Sequence, residues 1–331
     1  MERRIAELGQ RVLEGGLLGK AEALELARLG GDELYDLFYW ANRIRIRLVG
    51  RQVKLCAIVA GKLGGCSEDC RFCAQSAHHS GPAKLPSRTS DQDILRSSQH
   101  AAAAGASSFG IVNSGRAPTP AELRDWLKPL LTRLASDSPM RLCASLGALT
   151  REAAGLLWAC GVRRINHNLE TSERFYPSIA TTHSYAQRLD TLRNARAAGL
   201  SLCSGGIFGM GESWEDRIDL LLTLRAEGVD VVPLNFLNPI PGTPLGARTK
   251  LAPMECLQVI AIARFILPDK ELKVAGGREV CLRDLQSWMF FAGADSTMIG
   301  NYLTTCGRGP EMDHQMIRDL GLQAEAPAAT A

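Results

Sequence analysis

The sequence predicts an α/β protein built as a (β/α)8 barrel of the TIM type behind a helical extension, and three observations predict it. The chain has 331 residues, enough for one barrel of roughly 250 residues with additions at its ends. From residue 54 onward, short apolar, β-branched runs alternate with longer amphipathic segments, the pattern of parallel βαβ units. Eight such runs occur, whereas an open doubly wound sheet would show fewer strands and a glycine-rich first turn.

Residues 1–50 read as a helical extension. The runs 22–29 and 32–39 repeat apolar residues at spacings of three and four, which lines one face of a helix. Strands are expected at 54–60, 107–113, 141–146, 163–168, 201–207, 230–236, 271–275 and 295–300. Helices are expected between them at 92–104, 120–136, 150–160, 184–199, 214–227, 253–267 and 282–292. The barrel then covers 51–322, and the Ala/Pro-rich tail 323–331 is expected to be disordered. In such barrels the chemistry gathers at the C-terminal ends of the strands, so the residues just after each strand carry the most information.

Composition narrows the function without naming it. A net charge of +3, with no dense Lys/Arg cluster among aromatics, gives no reason to expect a nucleic-acid partner. No apolar run approaches the ~20 residues of a membrane span. The charged N-terminus, with Glu2, Arg3, Arg4, Glu7, Arg11 and Glu14, lacks the apolar segment of a secretory signal. The expected location is therefore the cytoplasm. Thiols stay reduced there, so the ten cysteines are expected as ligands, catalytic groups or buried small hydrophobes rather than disulfides.

The densest chemical signal is Cys66-Ser-Glu-Asp-Cys70-Arg-Phe-Cys73, directly after the first expected strand. Three thiolates can hold three irons of a cubane cluster, and no fourth cysteine lies nearby to hold the last one. An open iron can chelate the amino and carboxylate groups of S-adenosylmethionine and pass an electron to its sulfonium, which releases a 5′-deoxyadenosyl radical. A structural zinc site would want four ligands in paired clusters, and no second Cys-x-x-Cys occurs in the chain. His78 and His79 read as loop residues rather than ligands.

The loop resembles the signature of the radical S-adenosylmethionine superfamily. Further segments are similar, in order and spacing, to the biotin synthase family: Cys73-Ala-Gln-Ser-Ala-His, Asn166-His-Asn-Leu-Glu-Thr-Ser, Cys203-Ser-Gly-Gly, Asn235-Phe-Leu-Asn-Pro-Ile-Pro-Gly-Thr-Pro-Leu, Ala275-Gly-Gly-Arg-Glu and Phe291-Ala-Gly-Ala-Asp-Ser. The resemblance covers most of residues 54–322. It implies sulfur insertion into dethiobiotin, a [4Fe-4S] cluster on Cys66, Cys70 and Cys73, S-adenosyl-L-methionine as cofactor, an electron donor such as flavodoxin or ferredoxin, and a homodimer. A hydrogenase-maturation or methylornithine-forming enzyme on the same scaffold is the alternative, because barrels of one frame host many chemistries.

Carried over residue by residue, the resemblance places Arg188 near the S-adenosylmethionine site and Glu170 where some members carry an Asp in contact with the adenosine ribose. Asn168 and Asn235 match residues that bind the ureido substrate, since an amide offers the donor and acceptor that suit a urea. Taken alone, Asn168 also reads as a turn residue at a strand end. Gly205 and Gly206 read either as a turn or as a place where backbone closely approaches the cofactor.

The family pattern also implies an auxiliary iron–sulfur cluster inside the barrel, usually a [2Fe-2S] cluster held by three cysteines and an arginine. Cys143 and Cys203 match two of those cysteines, but the third position falls on Gly110 and the arginine position on Lys273. Odd-numbered strands feed common interior layers. We therefore expect Cys143, Cys203 and Cys281 to hold an altered auxiliary cluster, a four-iron one, with Cys56 as the reserve candidate and Cys281 as a buried small hydrophobe in the competing reading.

Overall fold

In the computed structural model, residues 2–83, 85–303 and 305–326 are described. Eight parallel strands close into a barrel: β1 Gln52–Leu63, β2 Ser108–Asn113, β3 Arg141–Ser145, β4 Arg164–Asn166, β5 Ser201–Cys203, β6 Val231–Phe236, β7 Glu271–Val274 and β8 Ser296–Met298. β8 pairs back onto β1 through Lys54 with Ser296 and Cys56 with Met298, so no edge is left open. β5 is interrupted at Ser204–Gly205, and its continuation Gly206–Phe208 pairs with β6.

Three helices, α1 Glu2–Leu13, α2 Lys20–Ala27 and α3 Glu33–Leu48, precede the barrel. The outer ring follows as α4 Asp91–Ala103, α5 Lys128–Asp137, α6 Arg151–Ala159, α7 Tyr185–Ala197, α8 Trp214–Ala226, α9 Pro253–Ile266, α10 Arg278–Leu282, α11 Trp288–Phe291 and α12 Pro310–Asp319. The starts are chemically marked. Ser90, Thr150, Ser184 and Ser213 each accept from the backbone N–H three residues on, an N-cap worth about 1 kcal/mol.

α9 is buried nearly all round because α2 and α3 cover the side that a typical barrel helix turns to solvent. Its Gln258 amide donates to the carbonyl of Leu26 at 3.1 Å and of Leu29 at 3.2 Å, at and just past the end of α2, where helix carbonyls run short of backbone donors. The extension is thus pinned to the barrel by hydrogen bonds as well as by apolar contact.

Three expectations about elements need correction. The helix expected at 282–292 is instead the last residue of α10, a 3-10 turn at Arg283–Leu285 and α11, because Arg283 adopts a positive φ of 51° that no continuous helix permits. α12, a polar helix apart from Met312, Met316 and Ile317, went unanticipated. The tail is ordered over its first residues: Gln323 and Ala324 add a short parallel pairing to β1, and Glu325 N donates to Val53 O at 2.8 Å. Residues 327–331 of that expected disordered segment lie outside the described residues.

Candidate active site

A cavity of about 820 Å³ opens at the C-terminal end of the barrel and runs into its interior, within the range that binds cofactor and substrate together. Two groups of cysteines line it at different depths. Cys66, Cys70 and Cys73 stand at the mouth, on the loop that follows β1, and Cys56, Cys143 and Cys203 stand inside. All are free thiols.

The mouth loop is held by its own polar groups. Ser76 Oγ donates to Glu68 O at 2.6 Å, and the rings of His78 and His79 bond the carbonyls of Ser67 at 2.9 Å and Cys70 at 3.1 Å. Both histidines therefore brace the loop from its backbone. Burial pushes the Cys70 thiol up to about 12 and raises that of Cys73, so a bound cation is what stabilises the thiolates here. Among the described residues, no three His, Cys, Asp or Glu side chains converge as they would around a single metal ion; thiolates around a cubane are spaced more widely.

Behind the loop runs a chain of polar side chains that sequence reasoning missed in part. Arg188 Nε donates to Tyr176 Oη at 2.6 Å, Nη1 to Asn168 O at 2.7 Å and Nη2 to His183 Nε2 at 2.8 Å. A guanidinium has only donors, so His183 Nε2 accepts. The imidazole proton then sits on Nδ1, which faces Glu68 Oε2 at 2.8 Å. Burial and the nearby Arg188 charge hold the His183 pKa below its usual value, so the ring is neutral, and its Nε2 lies 4.0 Å from Cys70 Sγ. Glu68 sits inside the three-cysteine motif, and that position was the available signal. His183 had none, because only the fold brings it to the loop.

Glu170 and Asn168 project from the turn after β4. Glu170 holds a left-handed φ of 70°, a strained conformation for a residue with a side chain. Backbone bonds on both sides, Glu170 N to Gly205 O at 3.0 Å and Ile207 N to Glu170 O at 2.9 Å, keep it there. Its Oε2 is buried without a partner, and burial raises its pKa. That orphaned oxygen in the cavity wall suits a ligand hydroxyl.

Asn168 Oδ1 accepts from Gly205 N at 3.2 Å, and its Nδ2 is turned toward the Glu170 carboxylate at the cavity wall. Asn235 Nδ2 donates to Gly206 O at 3.1 Å and Oδ1 accepts from Gly276 N at 2.9 Å. One N–H and one lone pair of the Asn235 amide remain for a ligand.

Gly205 and Gly206 sit where strands crowd together. They lie outside the cavity wall, and an added Cβ would strike Pro233 O at 1.9 Å or Glu170 O at 2.4 Å. Their small size lets β4, β5 and β6 approach one another, and so places the two asparagines.

The interior group differs from the expected one. Cys56, Cys143, Cys203 and Lys273 sit on β1, β3, β5 and β7 and all face the cavity, as one layer of a barrel fed by alternate strands. Lys273 Nζ lies 3.6 Å from Cys56 Sγ and 3.7 Å from Cys203 Sγ, and Asn166 Nδ2 lies 3.1 Å from Cys203 Sγ. Burial works against the Lys273 charge, but the Cys203 and Cys56 sulfurs and Glu271 outweigh it and raise its pKa. The ammonium is thus a donor toward sulfur rather than a ligand. Burial also lifts the Cys143 thiol to about 12.

Cys281 does not join this layer. It lies beyond β7 in α10, off the cavity wall, with Sγ 3.6 Å from Leu237 O and close to the free thiol of Cys256 in α9. The third sulfur that faces this layer is that of Cys56 on β1, not that of Cys281 in the helix after β7. Gly110, on even-numbered β2, faces Cys143: a Cβ there would stand 3.7 Å from Cys143 Cβ. On the neighbouring strand, Cys56 presents a thiol to the same cavity.

Comparison with known proteins agrees with this arrangement. Residues 62–224 match the radical SAM superfamily, and residues 233–323 match the biotin and thiamin synthesis associated domain. Biotin synthase of Geobacter sulfurreducens is 48% identical over 315 residues, covering 95% of this chain and 96% of that protein. Biotin synthase of Carboxydothermus hydrogenoformans is 47% identical over 98% of this chain and all of that protein, 100%. Among solved structures, methylornithine synthase superposes with a TM-score of 0.84 at 18% identity over 96% of this chain and 97% of that one, and the hydrogenase maturase HydG with 0.82 at 15% over 98% and 76%. Those two likenesses establish the barrel fold alone. On two matched domains, near-complete coverage and two tiers of cysteines in one barrel, the chain belongs to the biotin synthase family of radical S-adenosylmethionine enzymes.

Proposed function

We propose that this chain inserts sulfur into dethiobiotin to form biotin, with the radical generated at the barrel mouth and the sulfur drawn from the interior. The observation that carries the reading is the pair of cysteine groups at two depths of a single cavity, with Asn168, Asn235, Glu170 and Arg188 on the wall between them. A [4Fe-4S] cluster on Cys66, Cys70 and Cys73, with S-adenosylmethionine bound to it, supplies a 5′-deoxyadenosyl radical.

The chain's own groups do the rest. Arg188, fixed by Tyr176, His183 and the Asn168 carbonyl, presents a positive charge to the cofactor's carboxylate. Glu170 Oε2 accepts from a ribose hydroxyl. The amide groups of Asn168 and Asn235 hold the ureido ring of dethiobiotin between the two tiers, so that its reacting carbons face the mouth for hydrogen removal and the interior for sulfur. The apolar wall from Ile58, Ile207, Ala275 and Met298 keeps water from quenching a radical.

Cys56, Cys143 and Cys203 would hold the auxiliary cluster, a four-iron one in this reading, with the Lys273 ammonium beside the Cys56 and Cys203 sulfurs. The Cys281 thiol lies outside this set. The electron donor is a small redox protein such as flavodoxin or ferredoxin, the protein works as a homodimer, and the ten unpaired cysteines fit the reducing cytoplasm. No helix among the described residues is long and apolar enough to cross a membrane.

The test is anaerobic incubation of the reconstituted protein with dethiobiotin, S-adenosylmethionine and reductant, followed by product analysis. Biotin together with 5′-deoxyadenosine is expected. Deoxyadenosine with dethiobiotin left intact would return the chain to another radical chemistry on the same barrel.

A further inference from the structure

Below the cysteine layer lies a second layer that the chemistry above does not use. Lys54 is two residues before Cys56 on β1, and Glu271 is two before Lys273 on β7. Alternation along a strand therefore sends them to the same interior, one step deeper. Arg164 enters from β4, in register with Cys143 of β3, and its side chain reaches the cavity wall. Arg164 and Glu271 are each only 7% exposed.

The charges in this floor are unequal. Glu271 lies 3.7 Å from both Arg164 Nη1 and Lys54 Nζ. The nearby Asp295 is held by Arg264 at 2.5 Å and by Leu272 N at 2.8 Å, and only secondarily by Lys54 at 3.8 Å. Arg164 and Lys273 thus share one carboxylate, Glu271, while Lys54 lies between Glu271 and Asp295. Arg164 Nε has only Ser201 Oγ, at 3.4 Å, as a further partner. A surplus of buried cations is costly unless negative charge lies against it, and the three thiols of the next layer are where such charge arises.

We propose that Arg164 and Glu271 form an electrostatic couple that sets the reduction potential of the cluster held by Cys56, Cys143 and Cys203. This inference rests on the auxiliary-cluster reading above. Arg164 stabilises the electron-richer state of the cluster and Glu271 opposes it, since net charge, hydrogen bonding to sulfur and burial govern such potentials. Arg164 is a positioning and tuning residue. It is buried too deeply to touch S-adenosylmethionine at the mouth.

The test is a redox titration of the reconstituted holoenzyme followed by electron paramagnetic resonance, with the mouth cluster as an internal reference. Arg164→Gln should lower the midpoint of the interior cluster and Glu271→Gln should raise it, while Arg164→Lys, which keeps the charge, stays near wild type. Shifts of opposite sign separate a charge effect from general damage, because a disturbed fold would move both variants alike or strip iron from both. An interior midpoint that stays put in Arg164→Gln and Glu271→Gln, or moves in the same direction in both, overturns the inference while leaving the cluster reading intact. Absence of any second cluster in wild type overturns the cluster reading and this inference with it.

Discussion

The mouth and the interior of the barrel hold three cysteines each, yet they are built on different principles. At the mouth, Cys66, Cys70 and Cys73 are neighbours in sequence, and their loop is braced by Ser76, His78 and His79 a few residues away. Inside, Cys56, Cys143 and Cys203 are far apart in sequence and meet only because β1, β3 and β5 each send a side chain into one layer. A local site tolerates drift in the rest of the fold. A layer site depends on barrel closure and on strand register, and a thiol can be presented to it from an adjacent strand, as that of Cys56 is beside Gly110.

The largest effect that separates the two tiers is expected at the mouth. Cys66→Ala, Cys70→Ala or Cys73→Ala should reduce formation of 5′-deoxyadenosine to background, since a cubane iron loses its protein anchor. Quantifying deoxyadenosine under reducing, anaerobic conditions checks this. Substantial cleavage of S-adenosylmethionine in any of the three variants would break the assignment of the mouth as the radical site.

The interior tier should fail differently. In Cys56→Ala or Cys143→Ala, iron should fall from roughly eight to about four atoms per chain, the values for two four-iron clusters and one. Biotin formation should be lost while cleavage of S-adenosylmethionine survives. If Cys56→Ala retains full iron and biotin yield, the sulfur from β1 is a bystander in the layer.

How much of this was legible in the sequence follows from the same contrast. The mouth loop, the barrel and most of its strands were readable because spacing and period are local properties. Cys143, Cys203 and Lys273 were located by resemblance, and the rule that alternate strands share a layer pointed to side chains on odd strands. What the chain order could not show was which way each side chain points. Cys281 follows β7 closely in sequence, yet α10 turns it toward Cys256 and Leu237, whereas Cys56 faces inward from the start of the barrel. Gly205 and Gly206 carried a cofactor-like pattern, but their neighbours are Pro233 O and Glu170 O, contacts between strands that no local pattern reveals.

Between the tiers, the asparagines should give a smaller and more specific loss. Asn168→Ala or Asn235→Ala should weaken dethiobiotin binding about tenfold, the equivalent of a lost hydrogen bond to a buried polar group, roughly 1–3 kcal/mol. Both clusters should load normally. Equilibrium binding of dethiobiotin together with iron content checks the split, and unchanged affinity in both variants would reduce these residues to bracing the turns around Gly205, Gly206 and Gly276.

The smallest effect is expected at Cys281, and it is the sharpest probe of the layer argument because the residue is a buried cysteine that lies outside the layer. Its side chain is 1% exposed and packs in the main apolar core against α9. Cys281→Ala removes one sulfur atom and the weak S–H bond toward Leu237 O at 3.6 Å. The vacated space is smaller than that left by a Leu→Ala change, which costs about 2–5 kcal/mol, so a loss of about 1 kcal/mol is expected. In a chain of this size that corresponds to a fall in Tm of about 2 °C. Iron per chain and biotin yield should match wild type, measured on protein reconstituted alongside Cys56→Ala. A drop in iron of the size predicted for Cys56→Ala would place Cys281 among the ligands and require α10 to turn inward when the cluster binds. A fall in Tm with iron unchanged leaves Cys281 as a packing residue and assigns the third interior ligand to β1.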